Sequence, residues 1–106
     1  MRLGSSPKIA ATLKLGRRYP SKSLVLHVLR VPSQDVKFAF SVSKKVGNSV
    51  VRHKITRQLR QIVAQNLALV PVGSQIVVRA LPQVTDQSYS QLTAEYLAII
   101  KKIADQ

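Results

Sequence analysis

The chain has 106 residues with 17 Lys/Arg against 4 Asp/Glu, and its formal charge of +13 calls for a polyanionic partner, nucleic acid or an anionic membrane. The 45% apolar content suffices for the core of a single domain over residues 1–106, which argues against disorder. The absence of cysteine excludes a disulfide framework and a thiolate zinc site, and no apolar run approaches the ~18 residues of a membrane span, so the default expectation is a cytoplasmic chain with no membrane partner.

Ser6 before Pro7 has the pattern of an N-cap with proline at the first helical position, and Gly16 suits the end of a short helix carrying Ile9 and Leu13. Arg17, Arg18 and Pro20 read as a basic connector. Residues 22–31 contain Ser-Leu-Val-Leu-His-Val-Leu, β-branched or apolar at nearly every position, as in a strand covered on both faces. A turn follows over residues 32–35. Residues 37–43 alternate, with Phe38, Phe40 and Val42 on a core face and Ala39, Ser41 and Ser43 on a flat face of small residues. That second face is either an ordinary solvated face or a shallow floor over which a nucleic-acid strand lies.

Residues 41–60 carry six Lys/Arg and no acid. The four acids are Asp35, Asp86, Glu95 and Asp105, so eight cations between residues 36 and 85 have no opposing charge. Asn48 is suited to cap a helix whose apolar stripe is Val51, Ile55, Leu59, Ile62 and Val63. At about 100° per residue, His53, Lys54, Arg57 and Arg60 spread over the opposite side and Arg52 falls at the border. A solvated helix ordinarily mixes signs at i, i+4, whereas like charges at that spacing repel. Lys44 and Lys45 precede Gly47, which is expected to let the backbone turn tightly, and the capped helix start beside them suits a phosphate. The glycine spacing and Lys-Ser/Thr ending of a Walker loop are missing.

A third strand is expected over residues 75–80 after Gly73, with Val77 and Arg79 on one face and Pro82 as its stop. The last helix has a capping box at Ser88 and Gln91, an apolar stripe of Leu92, Tyr96, Ile99, Ile100 and Ile103, and Lys101 and Lys102 at the negative end of its dipole. The predicted order is therefore α-β-β-α-β-α, an α+β domain of one helix layer on one sheet.

The run from Phe40 through Ser-Val-Ser-Lys-Lys-Val-Gly-Asn-Ser-Val-Val-Arg-His-Lys to Arg60 resembles the signature of the bacterial ribonuclease P protein subunit. Its hallmark is a serine-lysine-lysine, valine/isoleucine-glycine-asparagine run leading into an arginine-rich helix, and Arg2-Leu3, Gly16-Arg17 and residues 76–82 extend the likeness in outline. The resemblance implies a single-domain α/β sandwich with a central sheet and a left-handed βαβ crossover, the ribosomal protein S5 domain 2-like topology, against the usual handedness rule. It implies a subunit that binds the ribonuclease P RNA and the 5′ leader of precursor tRNA, with no obligate protein partner. Cleavage is then carried by the RNA, which holds the magnesium ions, and the protein alone binds none and has no catalytic residue.

Carried over by position, Lys44, Lys45, Asn48, Arg52, His53, Lys54, Arg57 and Arg60 are expected to contact the catalytic RNA. Ile9, Leu13, His27, Ala39, Ser41 and Ser43 are expected to line a leader cleft between the first helix and the sheet. The family's arginine-asparagine-arginine reads Arg52-His53-Lys54 here, replacing a guanidinium fork by a point charge. Ile9 stands where a phenylalanine is common, and His27 where the first strand often has an aromatic.

Composition alone also admits a structural RNA-binding protein of the ribosome. A protein nuclease is disfavoured, because four scattered acids do not supply a metal cluster and His27 and His53 fall on a strand and a basic helix. A DNA-binding helix-turn-helix lacks a companion helix ahead of the basic one.

Overall fold

The computed structural model describes the backbone of residues 6–105 and the side chains of residues 9–105. Its main elements are α1 (Ser6–Leu15), β1 (Arg17–Pro20), β2 (Leu24–Arg30), β3 (Lys37–Val42), α2 (Ser49–Gln65), β4 (Ser74–Ala80) and α3 (Tyr89–Ala104). Short 3-10 turns lie at Leu67–Leu69 and Pro82–Asp86. One mixed sheet has the order β1-β2-β4-β3, with β3 and β4 parallel and the other two pairs antiparallel. A parallel pair cannot be closed by a hairpin, and α2 supplies the crossover.

The segment expected to be a basic connector is a strand, so the order is α-β-β-β-α-β-α. Ser21 N donates to Leu24 O at 2.8 Å, closing a hairpin whose register runs from Arg17 opposite Val28 to Pro20 opposite Val25. Two exposed arginines and a terminal proline are poor strand formers but good edge protection, and β1 is an edge. Arg2 and Leu3 lie outside the described residues, as does the position before Ser6. Ser6 is itself the first helical residue rather than the cap expected there.

The registers sort the sheet into two faces. Leu24, Leu26 and Val28 of β2, Phe38 of β3, and Ile76, Val78 and Ala80 of β4 are buried in one core with Ile55, Leu59, Ile62 and Val63 of α2 and Leu92, Tyr96, Ile99, Ile100 and Ile103 of α3. Val25, His27 and Val77 point to the other face and are buried too, because α1 packs over β2 and β4 there. Helices therefore cover both faces. The single helix layer expected from element order is corrected by α1, whose sheet-facing side is centred on the fully buried Thr12. Burying an aromatic such as Phe38 contributes roughly 1.5–3 kcal/mol, so both faces count in a chain this small.

Two caps expected from sequence are present. Asn48 accepts from Val51 N at 3.0 Å, and Ser88 with Gln91 forms a reciprocal capping box at 3.1 and 2.8 Å. Gly73, at φ +79, is the positive-φ residue among those described. A Cβ there would lie 2.4 Å from Val31 O, in the bend where Val31 N donates to Gly73 O and Gly73 N to Asp35 O.

Glu95 of α3 fastens the β1–β2 hairpin. Its carboxylate accepts from Ser21 Oγ, from Ser23 N at 2.9 Å and from Ser23 Oγ at 2.6 Å, and Ser23 is fully buried.

Candidate nucleic-acid interface

Between β3 and α2 the chain turns at residues 43–46, where Val46 N donates to Ser43 O at 3.0 Å. Val46 is buried, so Lys44 and Lys45 are turned outward and exposed. Gly47 is not in the left-handed region, contrary to the expectation that it makes the turn by its backbone freedom. It is needed for space: a Cβ would sit 2.9 Å from Val51 Cγ1, against the helix it precedes. Asn48 then caps α2 with its side chain, and Ser49 and Val50 open the helix with donors no preceding turn can satisfy.

Along α2 the two expected sides separate. Ile55, Leu59, Ile62 and Val63 are buried and Val51 is half-buried, whereas His53, Lys54, Arg57 and Arg60 are exposed and Arg52 is half-buried. The cationic side does not face open solvent uniformly. With β3 it walls a concavity of about 620 Å³, floored by Phe40 and Val42 and rimmed by Arg52, His53, Arg57 and Arg60. Ser49 and Thr56 add hydroxyls.

Phe40 and Val42 had the parity of core residues. They are half-buried because β3 is an edge strand, and the Phe40 ring, 6.4 Å from that of Phe38, receives the Arg60 guanidinium at 5.9 Å from its centroid. Arg52 Nε is buried in this wall without a hydrogen-bond partner. The roles of Phe40, Ser49 and Thr56 were missed in sequence. Ser49, His53, Thr56 and Arg60 recur at helical spacing, which is the signal that groups them.

The cleft expected on the other face is assembled from three elements. Cross-strand partners place Arg18, His27, Val77 and Ala39 in one row and Pro20, Val25, Arg79 and Ser41 in the next. Because α1 lies over β2 and β4, the β3 end of these rows stays accessible, with Ala39 half-buried and Ser41 exposed. Ile9 of α1 is half-buried. Ser43 lies past the end of β3, and Leu13, 43% exposed, sits on the flank of α1 rather than toward the sheet. Arg79 belongs on this floor, and its parity with Val77 is the sequence signal for it.

His27 is only 7% exposed, and its Nε2 has no hydrogen-bond partner. Burial, then Arg79, then Arg18 lower its pKa below the usual histidine value, so the ring is neutral at pH 7. An unfolded chain takes up a proton near pH 6.5 that the folded chain resists. This contribution to stability is complete above that pH and is lost as pH falls toward the depressed folded pKa. Urea unfolding at pH 7.5 and pH 5 should show a drop that is smaller in His27→Phe; equal drops in both proteins would remove His27 as its source.

Among the described residues no three His, Cys, Asp or Glu side chains lie together as a metal site would require. No helix among the described residues is long and apolar enough to cross a membrane. The surface has the means to bind polyanions: point charges, guanidinium forks, one aromatic ring and a capped helix start.

Comparison with known proteins bears on which polyanion. A family model described as Ribonuclease P matches residues 1–104. The ribonuclease P protein component of Acidothermus cellulolyticus is 36% identical over 104 residues, covering 96% of this chain and 87% of its own length. That of Corynebacterium diphtheriae is 34% identical over 109 residues, covering 96% and 92%. The RNase P protein of Thermotoga maritima superposes with a TM-score of 0.88 at 20% identity, covering 96% of both chains, which shows a shared fold.

Proposed function

The chain belongs to the ribonuclease P protein family, and on that premise we propose that it is the accessory protein of a bacterial ribonuclease P, binding the catalytic RNA through α2 and the 5′ leader of precursor tRNA through the α1 face of the sheet. The observation that carries this reading is the acid-free side of α2. His53, Lys54, Arg57 and Arg60 stand exposed on one helix, continuous with Lys44 and Lys45 across a capped turn. Folded RNA offers phosphates at that spacing, and the guanidiniums fit them bidentately.

The opposite face suits a different ligand. Ala39 and Ser41 give a flat floor beside α1, His27 and Val77 are buried beneath that helix, and exposed Arg79 supplies charge at the border of the floor. An extended single strand lies over small residues with its phosphates at the borders. The protein's part in cleavage is thus to hold substrate and ribozyme together. Magnesium and the bond-breaking step belong to the RNA, and the assembly works in the cytoplasm. Family membership favours this reading over a structural protein of the ribosome.

Reconstitution with a ribonuclease P RNA tests it. The protein is expected to lower the magnesium concentration needed for precursor cleavage and to show no cleavage alone; efficient magnesium-dependent cleavage by RNA-free protein would sink the proposal. His27→Ala is expected to reduce discrimination between precursor and mature tRNA while sparing affinity for the RNA subunit, because the buried ring packs between α1 and the sheet and so sets the wall of the cleft. Equal loss of both would show that His27 acts through the fold rather than in the cleft.

A further inference from the structure

The concavity between β3 and α2 is not built for phosphates alone. Its floor is Phe40 and Val42, two apolar side chains, inside a rim of Arg52, His53, Arg57 and Arg60. A phosphate gains nothing from an aromatic floor, yet the Phe40 ring is left half-buried there. The volume of about 620 Å³ falls within the range, about 300–1,000 Å³, of sites that take a small molecule.

Three features of this concavity suit a nucleobase. The exposed Arg60 guanidinium lies 5.9 Å from the Phe40 ring centroid, so the ring is within reach of a planar group from outside, and bases stack on rings and guanidiniums alike. β3 is an edge strand among the described residues, so backbone N–H and C=O groups along its outer side have no strand partner and can meet the edge of a base. Thr56 Oγ1 donates to Arg52 O at 2.8 Å, which commits its proton and leaves the oxygen as an acceptor on the wall. Arginine donors beside a threonine acceptor match the mixed edge of a base, whereas a phosphate presents acceptors only.

Paired RNA keeps its base faces inside the stack. We infer that this concavity takes one unpaired base of the catalytic RNA, stacked on Phe40 beside Arg60 with its edge toward Thr56, while the surrounding cations hold the flanking phosphates. This rests on the reading of α2 as the catalytic-RNA surface and adds a choice of RNA structure to it: the surface prefers a bulge or junction to a continuous duplex. Charge alone would bind both alike.

Three RNA hairpins with one stem sequence separate base from backbone. One is fully paired, one carries a single bulged adenosine, and one carries an abasic nucleotide at the bulge. The full-chain protein should bind the adenosine hairpin on the order of tenfold more tightly than either of the others, the gain expected of one stacked base. Phe40→Leu keeps the floor apolar but removes the ring, and should lose most of that gain with its salt dependence unchanged. Phe40→Tyr keeps the ring and should retain the gain, which guards against a packing defect in β3. Equal affinity of the wild type for the adenosine hairpin and either of the others overturns the inference. So does a full gain retained in Phe40→Leu, or a gain lost equally in both variants, because the effect would then lie in the fold. Arg57→Ala should weaken all three complexes alike; if it leaves the salt dependence of ribonuclease P RNA binding unchanged, the α2 reading itself fails.

Discussion

Replacing Arg57 or Arg60 by Ala should weaken binding to the ribonuclease P RNA by about tenfold at low salt and make the salt dependence shallower by about one counterion. Both side chains are exposed on the acid-free side of α2. If the whole surface engages six or more phosphates, affinity should fall by about a thousandfold or more between 50 and 200 mM salt. Removing any cation from a chain of charge +13 weakens the long-range field, so Lys101→Ala, at the end of α3, is the comparison that isolates contact from field.

Arg57→Lys should keep the slope and lose only part of the affinity, since an ammonium retains the charge but not the fork. Arg60→Lys should lose more, because the Arg60 guanidinium also lies over Phe40. An unchanged salt slope in Arg57→Ala and Arg60→Ala would mean that this side of α2 points away from RNA.

Glu95→Ala should destabilise the RNA-free protein by about 3 kcal/mol, a fall in melting temperature of roughly 15 °C. The carboxylate is the acceptor for Ser23 N and for the hydroxyls of Ser21 and Ser23, and Ser23 has no access to water in the fold. Without it, buried donors are left unsatisfied, which costs more than the hydrogen bonds themselves contribute. The substitution also removes one of only four acids. Glu95→Gln removes the same charge but keeps one carbonyl oxygen, so its smaller loss, about 1–2 kcal/mol, separates hydrogen bonding from self-repulsion. A melting shift below about 3 °C in Glu95→Ala would show that the hairpin does not depend on this anchor.

Much of the interface was legible because it is written in local chemistry. The Asn48 cap, the stripe from Ile55 to Val63 and the opposing cations follow from helical period alone, and each falls where that period puts it. The Ser88–Gln91 box and the buried run in β2 are equally local. What stayed hidden depends on partners distant in sequence. β1 is a strand because β2 and Glu95 hold it, against the preferences of Arg17, Arg18 and Pro20. Phe40 is half-exposed because β3 turned out to be an edge, and parity cannot tell an edge from a centre. Gly47 was read as a conformational glycine, but the reason for it is the Val51 side chain one helical turn away. The family resemblance supplied the crossover that local patterns could not.

The strand order β1-β2-β4-β3 also governs what happens while the chain is being made. β1 and β2 pair as soon as both have emerged, but β3 borders only β4, which is completed at Ala80, long after β3 ends at Val42. At roughly 5–20 residues per second, β3 waits on the order of seconds for its neighbour. During that interval the Phe38 and Phe40 side chains have no sheet to join, and the six cations that follow them before residue 61 are the nearest safeguard against association with other nascent chains. The same charges that suit the finished surface to RNA thus act first as gatekeepers on the ribosome.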